Sequence, residues 1–525
     1  MRRERYIAPY QAVAVQKRAA RRQKGFDVYK SIWRPRMKTS DAKDLFESSA
    51  SVLHNRLLVE WHQSCRQGAL RHVERYDDDA QADEDGDGIS DEAQEVTEVF
   101  LKHERLVHAL FTHYACLVPS LDVLNLLAWR AFVEECGLVQ KKSKHCTWSH
   151  FEAAFMETDG MRLKAQREEE AELLKVRQSG QALPPNRQRD RATPRTLGAN
   201  AVTAGGGALK HYMSRPEFLI GLIKIAVNRY VLSGELADVS DALERLLGTL
   251  LRENSRGIVN ADPDSLRRAC FYGEPACIAL KSVDATLRQC FMKLASLVPP
   301  GSSPPTSPSR GSGGGGLGSP SRSGEGGGAT LSVEEWLGAI RAFCIVGPDL
   351  SERTCLHAWA WSRMMVEQGH TVRGRQKEHA IPYEGFLELV CHLATVKGLP
   401  MDDEINEAGC VDAGGYLQSL EAQDDEEGNS NEQSTYAGLL GKHMRKWAEP
   451  PQLDLPRRIE HMATVLHAHI FSGLGQSLRG NGGGSSKQGD KPRRQSVASK
   501  PRTMKSAGEK VVTANAGLAS IKARS

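Results

Sequence analysis

LNLLAWRAFVEECGLV, residues 124–139, recurs as LSVEEWLGAIRAFCIV, residues 331–346, so that Leu124, Trp129, Leu138 and Val139 match Leu331, Trp336, Ile345 and Val346 at an offset of 207. Upstream, FTHYACLVP from Phe111 matches FMKLASLVP from Phe291 at an offset of 180, and downstream MSRPEFLIGLIKIA from Met213 matches IPYEGFLELVCHLA from Ile381 at 168. The offsets change because a Pro/Gly/Ser tract lengthens the second copy by about 27 residues and a polar stretch lengthens the first by about 39. Insertions that fall between apolar blocks and leave them in register are what a duplicated domain tolerates as its loops grow. The chain therefore reads as a tandem duplication.

Within each copy the spacing resembles an EF-hand pair, whose calcium loops place an aliphatic residue a few positions before the aromatic that opens the exiting helix. Leu124 and Trp129, Met213 and Phe218, Leu331 and Trp336, and Ile381 and Phe386 each show that five-residue step. The ligand positions do not follow. Calcium needs oxygens at loop positions 1, 3 and 5 and a bidentate Glu at 12. The first loop offers Leu117, Pro119 and Leu121 and ends at Ala128; the second offers Gly206, Ala208 and Lys210 before Glu217. The third is Gly/Ser-rich and ends at Glu335, and the fourth has Gly374, Gln376 and Glu378 before Gly385. No loop carries enough carboxylates, so four silent hands kept for shape are expected. A plain helical repeat with core aromatics is the simpler alternative.

One segment outside the repeats has metal-loop chemistry. Asp83, Asp85, Asp87 and Asp91 stand at positions 1, 3, 5 and 9 with Gly88 at 6, although position 12 is Gln94. Calcium is the one candidate ligand. The same residues continue an acidic run from Asp77, which reads equally as a solvated loop.

Charge points to a partner. The whole chain carries +4; residues 1–45 carry about +9 and residues 476–525 about +9, leaving about −14 between them. Basic arms attract polyanions by long-range attraction and counterion release, so nucleic acid, anionic lipid and the acidic tails of tubulin are candidates, with solubilising tails as the plain alternative. The contact set expected is Arg18, Arg21, Arg22 and Lys24, then Trp33, Arg34 and Arg36, and at the other end Arg493, Arg494 and Lys500. Arg493-Arg494-Gln495-Ser496 also matches a basophilic kinase site at Ser496. No apolar run reaches the 18 or so residues of a membrane span, and the start lacks an apolar signal core, so the cytoplasm is expected. The 11 cysteines form no C-x-x-C pair and read as reduced thiols in helix packing. Neither a phosphate-binding glycine loop nor a nucleophile motif is present, and the chain reads as non-enzymatic.

The predicted organisation is all-α: two tandem EF-hand-like four-helix modules with disordered loops and basic tails. Residues 1–92 form a basic arm, an anchoring helix reaching about Arg75 and the acidic loop. Residues 93–235 form repeat 1, 236–280 connecting helices, and 281–398 repeat 2 with its insert at 300–329. Residues 399–474 follow as an acidic linker and C-terminal helices, and 475–525 as the basic tail. Periodicity predicts helices near 93–116, 124–137, 147–174, 214–232, 239–254, 264–297, 332–345, 351–368, 383–396, 436–447 and 455–471, with 400–433 loose and the last two helices a C-terminal extension.

The doubled pattern, with the entry segment SIWRPRMKTSDAKDLF, resembles a group of algal and protist flagellar proteins carrying degenerate EF-hand-like repeats. Each copy is also similar to the tubulin-polymerization-promoting domain, through Trp129, Phe132, Cys136, Gly137, Leu138, Phe151, Phe155, Glu217 and Phe218. The likeness covers residues 100–232 and 284–396. It implies a calcium-free relative of the EF-hand and a scaffold role on tubulin, microtubules or axonemal proteins in a cilium or flagellum. A calcium-responsive adaptor is the alternative, and nucleic-acid association the weakest of the three.

Overall fold

Leu124, Met213, Leu331 and Ile381, the residues that precede each aromatic by five positions, meet as two backbone pairs. Leu124 and Met213 exchange N–H···O bonds of 2.8 and 2.9 Å. Strand β1 (Leu331–Ser332) runs antiparallel to β2 (Ala380–Ile381), with Leu331 opposite Ile381. This computed structural model describes residues 26–36, 48–75, 90–140, 142–178, 211–255, 263–296, 329–347, 349–369, 372–427, 435–443 and 453–471. Among them helix accounts for 72 % and strand for 2 %, so the fold is all-α, as expected.

The first half opens with α1 (Ser48–Gln67), α2 (Asp91–Lys102) and α3 (Glu104–Ala115), followed by α4 (Leu126–Glu135), α5 (Trp148–Gln178), α6 (Arg215–Ala226) and α7 (Val239–Arg245). The single helix expected over 93–116 is broken at His103, whose backbone leaves the helical region (φ −106°, ψ 17°). Local chemistry sets the ends of α4. Asn125 accepts the Ala128 N–H at 2.8 Å. Gly137, at φ +62°, lets the Leu138 N–H turn back to the Val133 carbonyl at 3.0 Å, a Schellman stop. Cys344 sits at the matching position after Phe343 with φ +51°, and the Ile345 N–H reaches the Ile340 carbonyl at 3.0 Å. Glu217 and Glu335 are likewise matched. Each serves as the N3 partner of a capping box, accepting the backbone N–H of Ser214 at 2.8 Å and of Ser332 at 2.7 Å.

The second half supplies α8 (Glu274–Ser282), α9 (Asp284–Leu294), α10 (Val333–Ala342), α11 (Glu352–Ser362), α12 (Val372–His379), α13 (Tyr383–Val396), α14 (Asp402–Glu407), α15 (Ala413–Glu427), α16 (Thr435–His443) and α17 (Leu455–Phe471). Matched residues make matched contacts. Phe111 meets Phe218 at 5.6 Å and Phe291 meets Phe386 at 5.4 Å. The Trp129 indole donates to the Phe151 carbonyl at 2.9 Å, and the Trp336 indole to the Cys355 carbonyl at 3.2 Å.

Two expectations change here. Residues 400–427 are not loose: α15 buries Ala413, Leu417 and Leu420, and Gly414 lets it approach α17 so closely that an added Cβ would stand 2.5 Å from the Thr464 carbonyl oxygen. Acidic composition hid an apolar stripe. Nor is α17 a peripheral extension, since Ile459, Met462, Ala463, Val465 and Leu466 are fully buried in the second core, at ~1.5–3 kcal/mol for each large side chain. Its Arg458 donates to the carbonyls of Ala394 (2.5 Å) and Lys397 (2.7 Å), closing the end of α13.

The buried residues form two cores. Helix α1 contributes Leu57 and Trp61 to the first. The chain just before it, at Trp33, is buried in the second, as are Cys116 and Leu121 from the loop between α3 and α4. The segment expected to connect the repeats is divided, with Val239–Leu251 in the first core and Leu266–Leu280 in the second. All 11 cysteines are free thiols. No helix among the described residues is long and apolar enough to cross a membrane.

Candidate functional site

Charges that neither core can hold alone meet where the halves touch. A charged group moved out of water is costly unless a counter-charge and hydrogen bonds replace its hydration. Helix α1 presents Arg56, which donates through Nε to Glu60 at 2.8 Å and also pairs with Glu378 of α12. Arg215, the first residue of α6, reaches the same Glu60 oxygen at only 3.4 Å. Arg363, at the end of α11, contacts Asp122 of the first half at 3.3 Å, and His379 holds the other Asp122 oxygen at 2.5 Å. On the far side Glu388 of α13, fully buried, accepts from Arg267 at 2.6 Å, Arg36 at 2.9 Å and Tyr272 at 3.0 Å.

Several of these residues border a cavity with about 60 Å³ of free space, lined by Arg36, Arg56, Arg215, Arg267, Arg363, His108, Asp264 and Glu378 together with apolar groups such as Trp361. That is room for about four waters at ~15 Å³ each. Burial alone would raise the Glu388 carboxyl, yet Arg267 and Arg36 outweigh it and hold the group down at about 2. Burial also opposes the charge of Arg56, which Glu378 and Glu60 more than restore. Arg215 is compensated only in part: burial, and then the neighbouring Arg56, outweigh Glu60 and Glu378 and lower it to about 10. Burial, Arg215 and Arg56 push His108 well below the ordinary range and keep its ring neutral. His379 goes the other way, because Asp122 overcomes its burial. The Arg215 Nη2 and His108 Nδ1 atoms are buried without a hydrogen-bond partner.

The residues expected to contact a partner divide. Arg34 is exposed, as such a role requires. Trp33 and Arg36 are not available: Trp33 is 0 % exposed and packs on Tyr272 at 4.8 Å, and Arg36 is 1 % exposed, bonded to Glu388 and to the Ser362 carbonyl at 2.9 Å. Their expected contact role is corrected to a structural one, because an apolar ring and a carboxylate in the second core bind them more closely than solvent would. Of the acidic loop only Asp91 is described, in the first turn of α2. Asp83, Asp85, Asp87, Arg18, Arg21, Arg22, Lys24, Arg493, Arg494, Lys500 and Ser496 lie outside the described residues. Among the described residues no cluster of His, Cys, Asp and Glu is arranged to hold a metal.

Sequence reading missed Arg56, Arg215, Arg363 and Glu388. A signal existed for the last, a lone acid in the run FLELVCHLA, which only a buried counter-charge explains. No family model, no curated protein and no solved structure matches this chain.

Proposed function

We propose that this chain is a non-enzymatic scaffold of a cilium or flagellum that binds microtubules or axonemal proteins through its basic arms. The observation that carries the reading is the segregation of charge, about +9 in each arm against about −14 between them. Arms of that charge favour an acidic lattice, and their hold weakens as salt screens them. In this reading the two halves are EF-hand-like four-helix modules serving as rigid spacers. Support comes from the pairing of Leu124 with Met213 and of Leu331 with Ile381, the positions at which EF loops join, and from Glu217 and Glu335, which cap helices. The burial of Trp33 and Arg36 adds a mechanical element, since it fixes the root of the first arm and leaves Arg34 outward.

Microtubule co-sedimentation tests this, comparing the full chain with one lacking residues 1–25 and 476–525 and running each with and without calcium. Pelleting that needs the arms, ignores calcium and falls with salt is the expected result. Absence of pelleting under every condition removes the scaffold reading. Calcium-dependent pelleting favours the adaptor alternative, which rests on Asp91 opening α2 directly after the Asp83–Asp87 run.

A further inference from the structure

The cavity between the halves has a property that the scaffold reading does not use. Arg215 is the least compensated charge in it, because its one carboxylate contact, 3.4 Å to Glu60, is with an oxygen that Arg56 already holds at 2.8 Å. Its Nη2, and Nδ1 of His108, are buried and unsatisfied among the cavity's lining residues. A buried guanidinium with an idle N–H is costly unless an acceptor reaches it. Glu378 and Asp264, held by Arg56 and Arg267, also line the cavity, and their remaining lone pairs offer acceptors to a ligand that can donate. A ligand that accepts from arginine and donates to a carboxylate satisfies both sides. At neutral pH a phosphate retains a proton and does this; sulfate, fully ionised, does not. The free space of about 60 Å³ admits a tetrahedral oxyanion.

We propose that this cavity is a binding site for inorganic phosphate, with Arg215 as the principal donor and Glu378 or Asp264 accepting the ligand's O–H. Arg56 and Arg215 come from the first half and Arg363 and Glu378 from the second, so occupancy clasps the two together. A ligand held only by the folded state stabilises it by mass action.

Equilibrium dialysis of the full chain against radiolabelled phosphate at pH 7, and thermal unfolding in phosphate or sulfate at equal ionic strength, test the site. The expected results are about one phosphate per chain, a saturable rise in Tm with phosphate, and at least tenfold weaker binding of sulfate. Arg215→Met, which keeps the side chain's length without its charge, should lower phosphate affinity at least tenfold while leaving the helical circular dichroism unchanged. Absence of saturable phosphate binding, equal binding of sulfate, or unchanged affinity in Arg215→Met would each overturn the proposal. Should that variant fail to fold, the wild-type dialysis and the sulfate comparison decide the matter alone.

Discussion

Cys344 keeps a backbone conformation that its counterpart Gly137 adopts freely. Both lie in the left-handed region, at +51° and +62°. A non-glycine residue there carries ~1–2 kcal/mol of strain, while glycine loses ~0.5–1 kcal/mol more backbone entropy on folding. Strain exceeds entropy, so Cys344→Gly should stabilise the protein by about 0.5–1 kcal/mol and Gly137→Ala should destabilise it by about 1 kcal/mol, both read from urea midpoints. Lower stability of Cys344→Gly would show that its thiol makes a packing contribution larger than the strain. At this scale the sequence is partly legible. Gly137 announced a helix stop because few other residues turn left at such a position, whereas Cys344 carried no such mark. Glu388 and His392, alone in an apolar helix, signalled a buried charge, but Arg36 and Arg267 as its partners did not show, since ion pairing leaves no periodic trace along a chain.

Most helices were legible and their destinations were not, while α12 and α15 escaped the periodicity. The 3.6-residue period located α13 and α17 closely, because a buried helix writes its apolar face into the sequence. That α17 completes the second core depended on long-range packing, and α15 was missed because the acids in its sequence diluted the stripe of Ala413, Leu417 and Leu420. The contact between these two helices is tight enough to test. An added methyl at position 414 meets a backbone oxygen, which cannot swing aside, so Gly414→Ala should cost ~1–3 kcal/mol through overpacking. Truncation after residue 452 should abolish cooperative unfolding of the second half, while truncation after residue 475 should leave it intact. Equal Tm values for the two truncated chains would contradict the placement of α17.

As a whole the molecule buries several neutral histidines and should be sensitive to mild acid. Burial, with Arg353 close by, lowers His113 to about 3, and burial chiefly keeps His108 and His357 well below the ordinary value near 6.5. Between those values the unfolded chain binds protons that the folded chain refuses, so stability falls as pH drops below about 6.5. At pH 5 the loss is ~2 kcal/mol for each such histidine, and a further loss begins near pH 4.5 as the unfolded counterpart of Glu388, held at about 2 in the fold, takes up its proton. Urea midpoints flat from pH 7 to 5 would contradict this burial. The lodging of first-half residues in the second core has a different result. Because Trp33, Cys116 and Leu121 are lodged in the second core, a backbone cut between residues 255 and 263 releases neither half. The two fragments stay fastened like the tongue and frame of a buckle, and migrate as one particle until denaturant opens it.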